Sequence, residues 1–160
     1  MASILAALGT GILCLSPVSG IAAPAKLEVP KPSAEDVAQI QAGLKGSLGK
    51  ASLEEIERAL RAAVAAHPDA APAYVAVILD SGRQWTCPDV ARITAVAIEA
   101  LGKNPRAEVI FAIVRTSIIL DEECAPVIVK AAIKAAPRAL AYRIVEVAVA
   151  SLRHPGEFVR

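Results

Sequence analysis

The sequence predicts an all-α fold, with helix pairs repeated and stacked as a short α-solenoid or a compact helical bundle. Three observations predict it. Apolar residues make up 55% of the chain and aromatics only 3%. The core must therefore come from Ala, Val, Ile and Leu, and Ala is the strongest helix former. The chain has 9 glycines in 160 residues and no Asn-Gly turn, which argues against hairpins. Finally, a helix–proline–helix grammar recurs about every 35 residues, around His67-Pro68, Asn104-Pro105 and Ala136-Pro137. A period of that size with two helices per unit marks stacked repeats, in which each pair buries its apolar face only against neighbours. The length suits one domain.

Residues 1–25 carry no charged side chain. An apolar run from Ile4 to Leu15 is followed by Ser19, Gly20, Ala22, Ala23 and Ala25. This is the layout of a signal peptide with a small-residue cleavage site, although no Lys or Arg stands beside the amino terminus. An uncleaved anchor and a misassigned start are the alternatives, and Leu13 before Cys14 makes a poor lipoprotein box. Export places the mature chain in a periplasm or outside the cell. It also removes Cys14 and leaves two cysteines, Cys87 and Cys124. Residues 26–32 hold two prolines and read as a linker. Residues 33–153 form the helical-repeat domain, of about seven helices. Residues 154–160 read as a frayed tail.

Ser33 and Asp36 form a capping box that opens the first helix. Val37, Ile40, Leu44 and Leu48 give it one apolar stripe, weakened by Gly43, Gly46 and Gly49. It reads as a terminal cap. Ser52 with Glu55 opens the first pair, whose leading helix (stripe Leu53, Ile56, Leu60, Val64) runs to His67, where Pro68 stops it. Asp69 is placed to cap the partner helix, with Pro72 in its first turn. That partner is apolar nearly all round from Tyr74 to Leu79, hence buried, and Gly82 ends it. Thr86 with Asp89 opens the second pair, with Cys87 and Pro88 in the first turn. Gly102 closes that helix, and Asn104-Pro105 is expected to start the next, which continues to Leu120. Asp121-Glu122-Glu123 suits the start of the third pair. Short anchors align the copies: Ala63-Val64, Ala97-Ile98 and Ala132-Ile133, each followed by a proline and then by Ala70, Ala107 or Ala139.

The string from Ile128 to Pro137 (IVKAAIKAAP), with Arg143 to Val149 (RIVEVAV) after it, resembles the repeats of a group of exported, Ala-rich bacterial proteins of no characterised activity. The resemblance is strong over residues 124–150 and faint over the two earlier units. It implies an exported, all-helical repeat protein and carries over no functional residues.

Cys87 and Cys124 are the most site-like feature, 37 residues apart and both expected in the first turn of a leading helix. Stacked helix axes lie ~8–10 Å apart, whereas a disulfide needs Cα atoms within about 7 Å. A bridge therefore requires the helix ends to converge, and two small buried hydrophobes are the other reading. A catalytic thiol lacks a histidine base. His67 and His154 each precede a proline at a helix end, where an imidazole meets the last carbonyls. No metal site follows from them, nor from the Asp121–Glu123 acids.

Arg83 and Trp85, in the loop from Ser81, are residue types favoured in binding hot spots, against a reading of Trp85 as a lid over the seam between units one and two. Charge is uneven. Lys26–Asp80 holds six basic and eight acidic residues, Ser81–Glu123 five and six, and Cys124–Arg160 six and two. Lys130, Lys134, Arg138 and Arg143 form a basic ridge that can dock a partner or merely solubilise a terminal unit.

Net charge is +1 and no basic motif is interleaved with aromatics, which excludes nucleic acid as a partner. No catalytic constellation, cofactor fingerprint or metal-ligand spacing occurs. The apolar run from Val109 to Leu120 is too short to cross a membrane. The reading is a non-enzymatic exported structural or interaction module with a protein partner. An envelope protein acting by lipid contact or oligomerisation ranks second and an enzyme third.

Overall fold

The computed structural model describes residues 29–152. The expected signal peptide, Cys14 and the tail with His154 lie outside them. Among the described residues are seven α-helices and no strand: α1 (Ala34–Ala42), α2 (Leu53–Ala66), α3 (Ala71–Leu79), α4 (Cys87–Ala100), α5 (Ala107–Leu120), α6 (Ala125–Ala135) and α7 (Ala141–Ser151). Short 3-10 turns at Leu48–Lys50, Pro68–Ala70, Glu122–Cys124 and Arg138–Leu140 precede α2, α3, α6 and α7.

The helices form two layers. In one, α2, α4 and α6 lie side by side, and in the other α3, α5 and α7 do the same. Each pair also packs internally, and α1 covers both α2 and α3 at the start of the stack. The result is an all-α stack of three pairs with a lid helix. One continuous core runs through it, from Ile40, Ile56 and Leu60 through Ile93, Ile113 and Ile118 to Ile128 and Ile144. These isoleucines and leucines are fully shielded from water. The leading helices bury one stripe each, whereas α3 buries every residue from Ala71 to Ile78 except Ala73. A helix apolar all round must sit between neighbours, and α3 lies among α1, α2, α4 and α5.

Local chemistry sets the helix starts. Ser33, Ser52 and Thr86 each accept a hydrogen bond from the backbone N–H three residues on, and Asp36, Glu55 and Asp89 in turn accept one from the cap's own N–H. These bonds hold two carboxyls below their usual range. For Glu55 the Ser52 backbone N–H is the main cause, and for Asp89 the Thr86 hydroxyl. A lowered folded value means stability present above the unfolded carboxylate pKa and lost as pH falls through the folded one.

The structure corrects several expectations. Asp69 does not cap α3. It lies in the Pro68–Ala70 turn, and α3 begins at Ala71 with no side-chain cap. Asp69 pairs instead with Arg106 of the next unit. Asn104-Pro105 does not start α5, which begins at Ala107 with Arg106 at its cap. Gly102 does close α4, with φ +82, a conformation costly for any residue with a Cβ. The first helix ends at Ala42 rather than reaching Leu48, which enters the core from its own turn. Gly43 is a packing requirement there: a Cβ would lie 2.7 Å from the Ala59 Cβ.

Of the buried hydroxyls, Thr116 Oγ1 has no hydrogen-bond partner among the described residues, whereas Thr94 and Ser117 are bonded to each other. Thr94 on α4 donates to Ser117 on α5 at 2.8 Å, and Ser117 donates to the Ile113 carbonyl. The chain of donors ends on a backbone oxygen, so neither proton of this pair is left without an acceptor.

Candidate functional site

Cys87 and Cys124 are joined by a disulfide with Cα atoms 4.9 Å apart. Helix spacing alone does not allow that approach. Cys124 is not in the first turn of α6 as expected: it is the last residue of the Glu122–Cys124 turn and caps α6. The turn carries it across to the first turn of α4. Alanines help, since Ala91 and Ala95 of α4 face Ala131 and Ala135 of α6 across a shallow hollow of about 320 Å³. Small side chains let the helices come close. Cys124 is buried and Cys87 half-buried.

Beside the bridge, Asp121 has a carboxyl raised above its usual value. Burial is the main cause and the Glu123 charge adds to it, while the Cys124 N–H opposes both. For a carboxylic acid a raised folded value is a penalty on the charged form. It is absent below the unfolded pKa and is felt in full once pH has passed the folded one. Asp121→Asn is accordingly expected to raise the thermal midpoint at neutral pH, with the gain vanishing in acid. Melting curves of both proteins across that range check it.

The loop after α3 is a structural clamp. Arg83 donates to the Ala51 carbonyl at 2.6 Å and stacks over the Trp85 ring, 4.5 Å from its centroid. Trp85 is half-buried against the core, with its indole N–H shielded and unpartnered. The pair thus ties the loop to the start of α2 and leaves Gln84 as the exposed residue between them. Arg83→Ala removes a charged hydrogen bond and a cation–π contact, and is expected to cost about 1–3 kcal/mol. Trp85 is the sole tryptophan, so its emission should shift to the red with the loss.

The basic ridge is smaller than the sequence suggested. Lys130 and Lys134 are exposed one turn apart on α6, and Arg138 is exposed in the following turn. None of the three has a carboxylate partner among the described residues. Arg143 is drawn off, donating to Glu146 at 2.6 Å on its own helix.

Sequence reasoning missed the apolar surface beside that ridge. On α7 the buried stripe is Ile144, Ala148 and Ser151. A second apolar stripe lies roughly a third of a turn away: Tyr142, exposed at 74%, Val145 at 37%, and the half-buried Val149. Their spacing of three and four was legible, but which of two apolar stripes faces the neighbour was not. Ion pairs were also missed. Arg61 meets Glu99 and Arg92 meets Glu57 between α2 and α4, and Arg106 meets Asp69. All three join the first pair to the second.

A recess of about 410 Å³ opens between the start of α1 and the end of α2, lined by Glu35, Asp36, Gln39, His67, Asp69 and Tyr74. Tyr74 is pushed up by burial first and then by Asp36 and Glu35, so it stays neutral at physiological pH. A second, more apolar recess of about 450 Å³ lies between α1 and the end of α3, lined by Val37, Leu48 and Val77. Among the described residues no three His, Cys, Asp or Glu side chains converge to hold a metal ion. No helix there is long and apolar enough to cross a membrane.

Among the described residues, these features define a disulfide-bridged stack of helix pairs whose last helix leaves Tyr142 exposed. No protein-family model matches the chain, nor does any curated protein or solved structure.

Proposed function

We propose that the chain is a non-enzymatic, exported structural or protein-interaction module whose contact surface is the end of its last helix pair. The observation that carries this reading is Tyr142, an aromatic left three-quarters in water beside Val145 and within the unit that holds Lys130, Lys134 and Arg138. A contiguous apolar patch rimmed by charge is the usual form of a protein contact surface. Export is supported by the neutral, small-residue amino terminus, by the resemblance to exported Ala-rich repeats, and by the cysteine bridge, which persists in oxidising compartments.

The test compares wild type with Tyr142→Glu/Lys130→Glu, both immobilised and exposed to the exported fraction of the source cell. A protein retained by wild type and lost from the variant, at equal helicity, supports the reading. Retention unchanged by the variant removes this surface from consideration. Sedimentation with anionic vesicles, abolished by Lys130→Glu/Lys134→Glu, replaces the protein partner with a lipid surface. Intact mass of the exported chain fixes the cleavage site and the oxidation state together.

A further inference from the structure

A stack of repeats has two ends, and here each leaves apolar side chains exposed, with acids on α1 and bases on α6 and the turn after it. At the C-terminal end the face turned away from α5 carries Tyr142, Val145 and Val149. Lys130 stands on α6 at the place that Ala95 occupies on α4 when the units are aligned through Ala97 and Ala132. At the N-terminal end, α1 turns Ile40 to the core and leaves Ala34, Ala38 and Ala42 exposed at steps of four, with Val37 at 36% and Glu35 beside them. Between α4 and α6, alanines stand on both sides of the contact. Ala91 and Ala95 face Ala131 and Ala135, and α4 against α6 is the most extensive contact of the stack. On α1 no described residue covers such a face.

We infer that copies of this chain associate head to tail, the α7 stripe of one copy seating on the α1 alanine face of the next. The occupant of each end is thus a second copy. Three matches point to it. Large side chains (Tyr142, Val145) oppose small ones (Ala34, Ala38, Ala42), the complement needed for close packing. The recess between α1 and the end of α3, walled by Val37, Leu48 and Val77 with Gln41 and Asp80 at its polar side, is the seat for the Tyr142 ring, whose hydroxyl suits a partly polar site. Charge is complementary at the helices concerned: α1 carries Glu35 and Asp36 and no base, whereas the last pair exposes Lys130, Lys134 and Arg138. Opposite ends attract, whereas like ends, Lys130 against Lys130, repel. The contact is therefore heterologous, using two different patches, and continues into an open chain unless its rotation closes a ring.

This inference rests on the reading of the chain as an interaction module and names its partner. The test uses two exposed-site variants of the full chain, Tyr142→Glu at one end and Ala38→Glu at the other. Analytical ultracentrifugation should find wild type forming dimers and longer species as concentration rises, with association weakened by salt. Each variant alone should sediment as a monomer with wild-type circular dichroism. Mixed, the two should form a one-to-one dimer that grows no further, since each supplies the end the other lacks. A monomeric wild type over its whole soluble range overturns the inference. So does a variant that still dimerises alone, or a mixture that stays monomeric. If wild type is monomeric yet still captures another protein through Tyr142, self-association fails while the interaction module stands.

Discussion

Replacing both cysteines with alanine is expected to lower the stability of the oxidised chain by about 3–4 kcal/mol. The bridge closes a loop between positions 37 residues apart, and in the chain-entropy picture a loop of that length restricts the unfolded ensemble by that amount. Alanine suits the site because Cys124 is 3% exposed, and serine would bury a hydroxyl. Urea unfolding with and without reductant checks the expectation. Wild type should lose its advantage under reductant, while the double variant should not respond. The denaturant slope should also rise once the bridge is gone, since the unfolded chain exposes more surface. A wild-type midpoint that ignores reductant would show that the bridge contributes nothing.

Ile93→Ala should be comparably damaging, at about 2–5 kcal/mol, the range for emptying a closed core site. Ile93 is completely buried in the middle of α4, the helix with α2, α3, α5 and α6 around it. With helices on all those sides the site cannot collapse to fill the void. Ile144→Ala on α7 deletes the same atoms from a helix at the end of the stack. In a nearly one-dimensional array, coupling to neighbours decides how far damage spreads. The α4 variant should keep a single transition at lower urea, whereas the α7 variant should unfold its last pair separately. Circular dichroism through both transitions distinguishes them.

The contrast between local and distant chemistry explains what was legible. Ser33–Asp36, Ser52–Glu55 and Thr86–Asp89 were readable because each capping box spans three residues and needs nothing else. The pair grammar was readable because proline and glycine act on their own backbone. Asp69 looked like a cap by the same local logic, yet its partner is Arg106, in the next unit. At the end of α1, Gly43 lies so close to Ala59 that a Cβ would not fit, a contact that no periodicity reports. The bridge was left open for a similar reason. Two cysteines in equivalent helical turns would lie too far apart, and only the 3-10 turn before α6 moves Cys124 within reach. Lys130, Lys134 and Arg138 were correctly placed on the surface. Arg143 was counted with them because its capture by Glu146, three residues on, was not weighed.

The joints between units differ in kind. Pairs one and two are tied by Arg61–Glu99, Arg92–Glu57 and Arg106–Asp69, whose arginines are about half or more exposed. Pairs two and three are tied by a covalent bond. Exposed ion pairs contribute ~0–1 kcal/mol each and fade with salt, whereas a disulfide ignores salt and yields only to electrons. The apolar core is continuous across both joints, so what differs between them is the supplement: a few exposed ion pairs that salt screens at one, and a bond that only reduction breaks at the other.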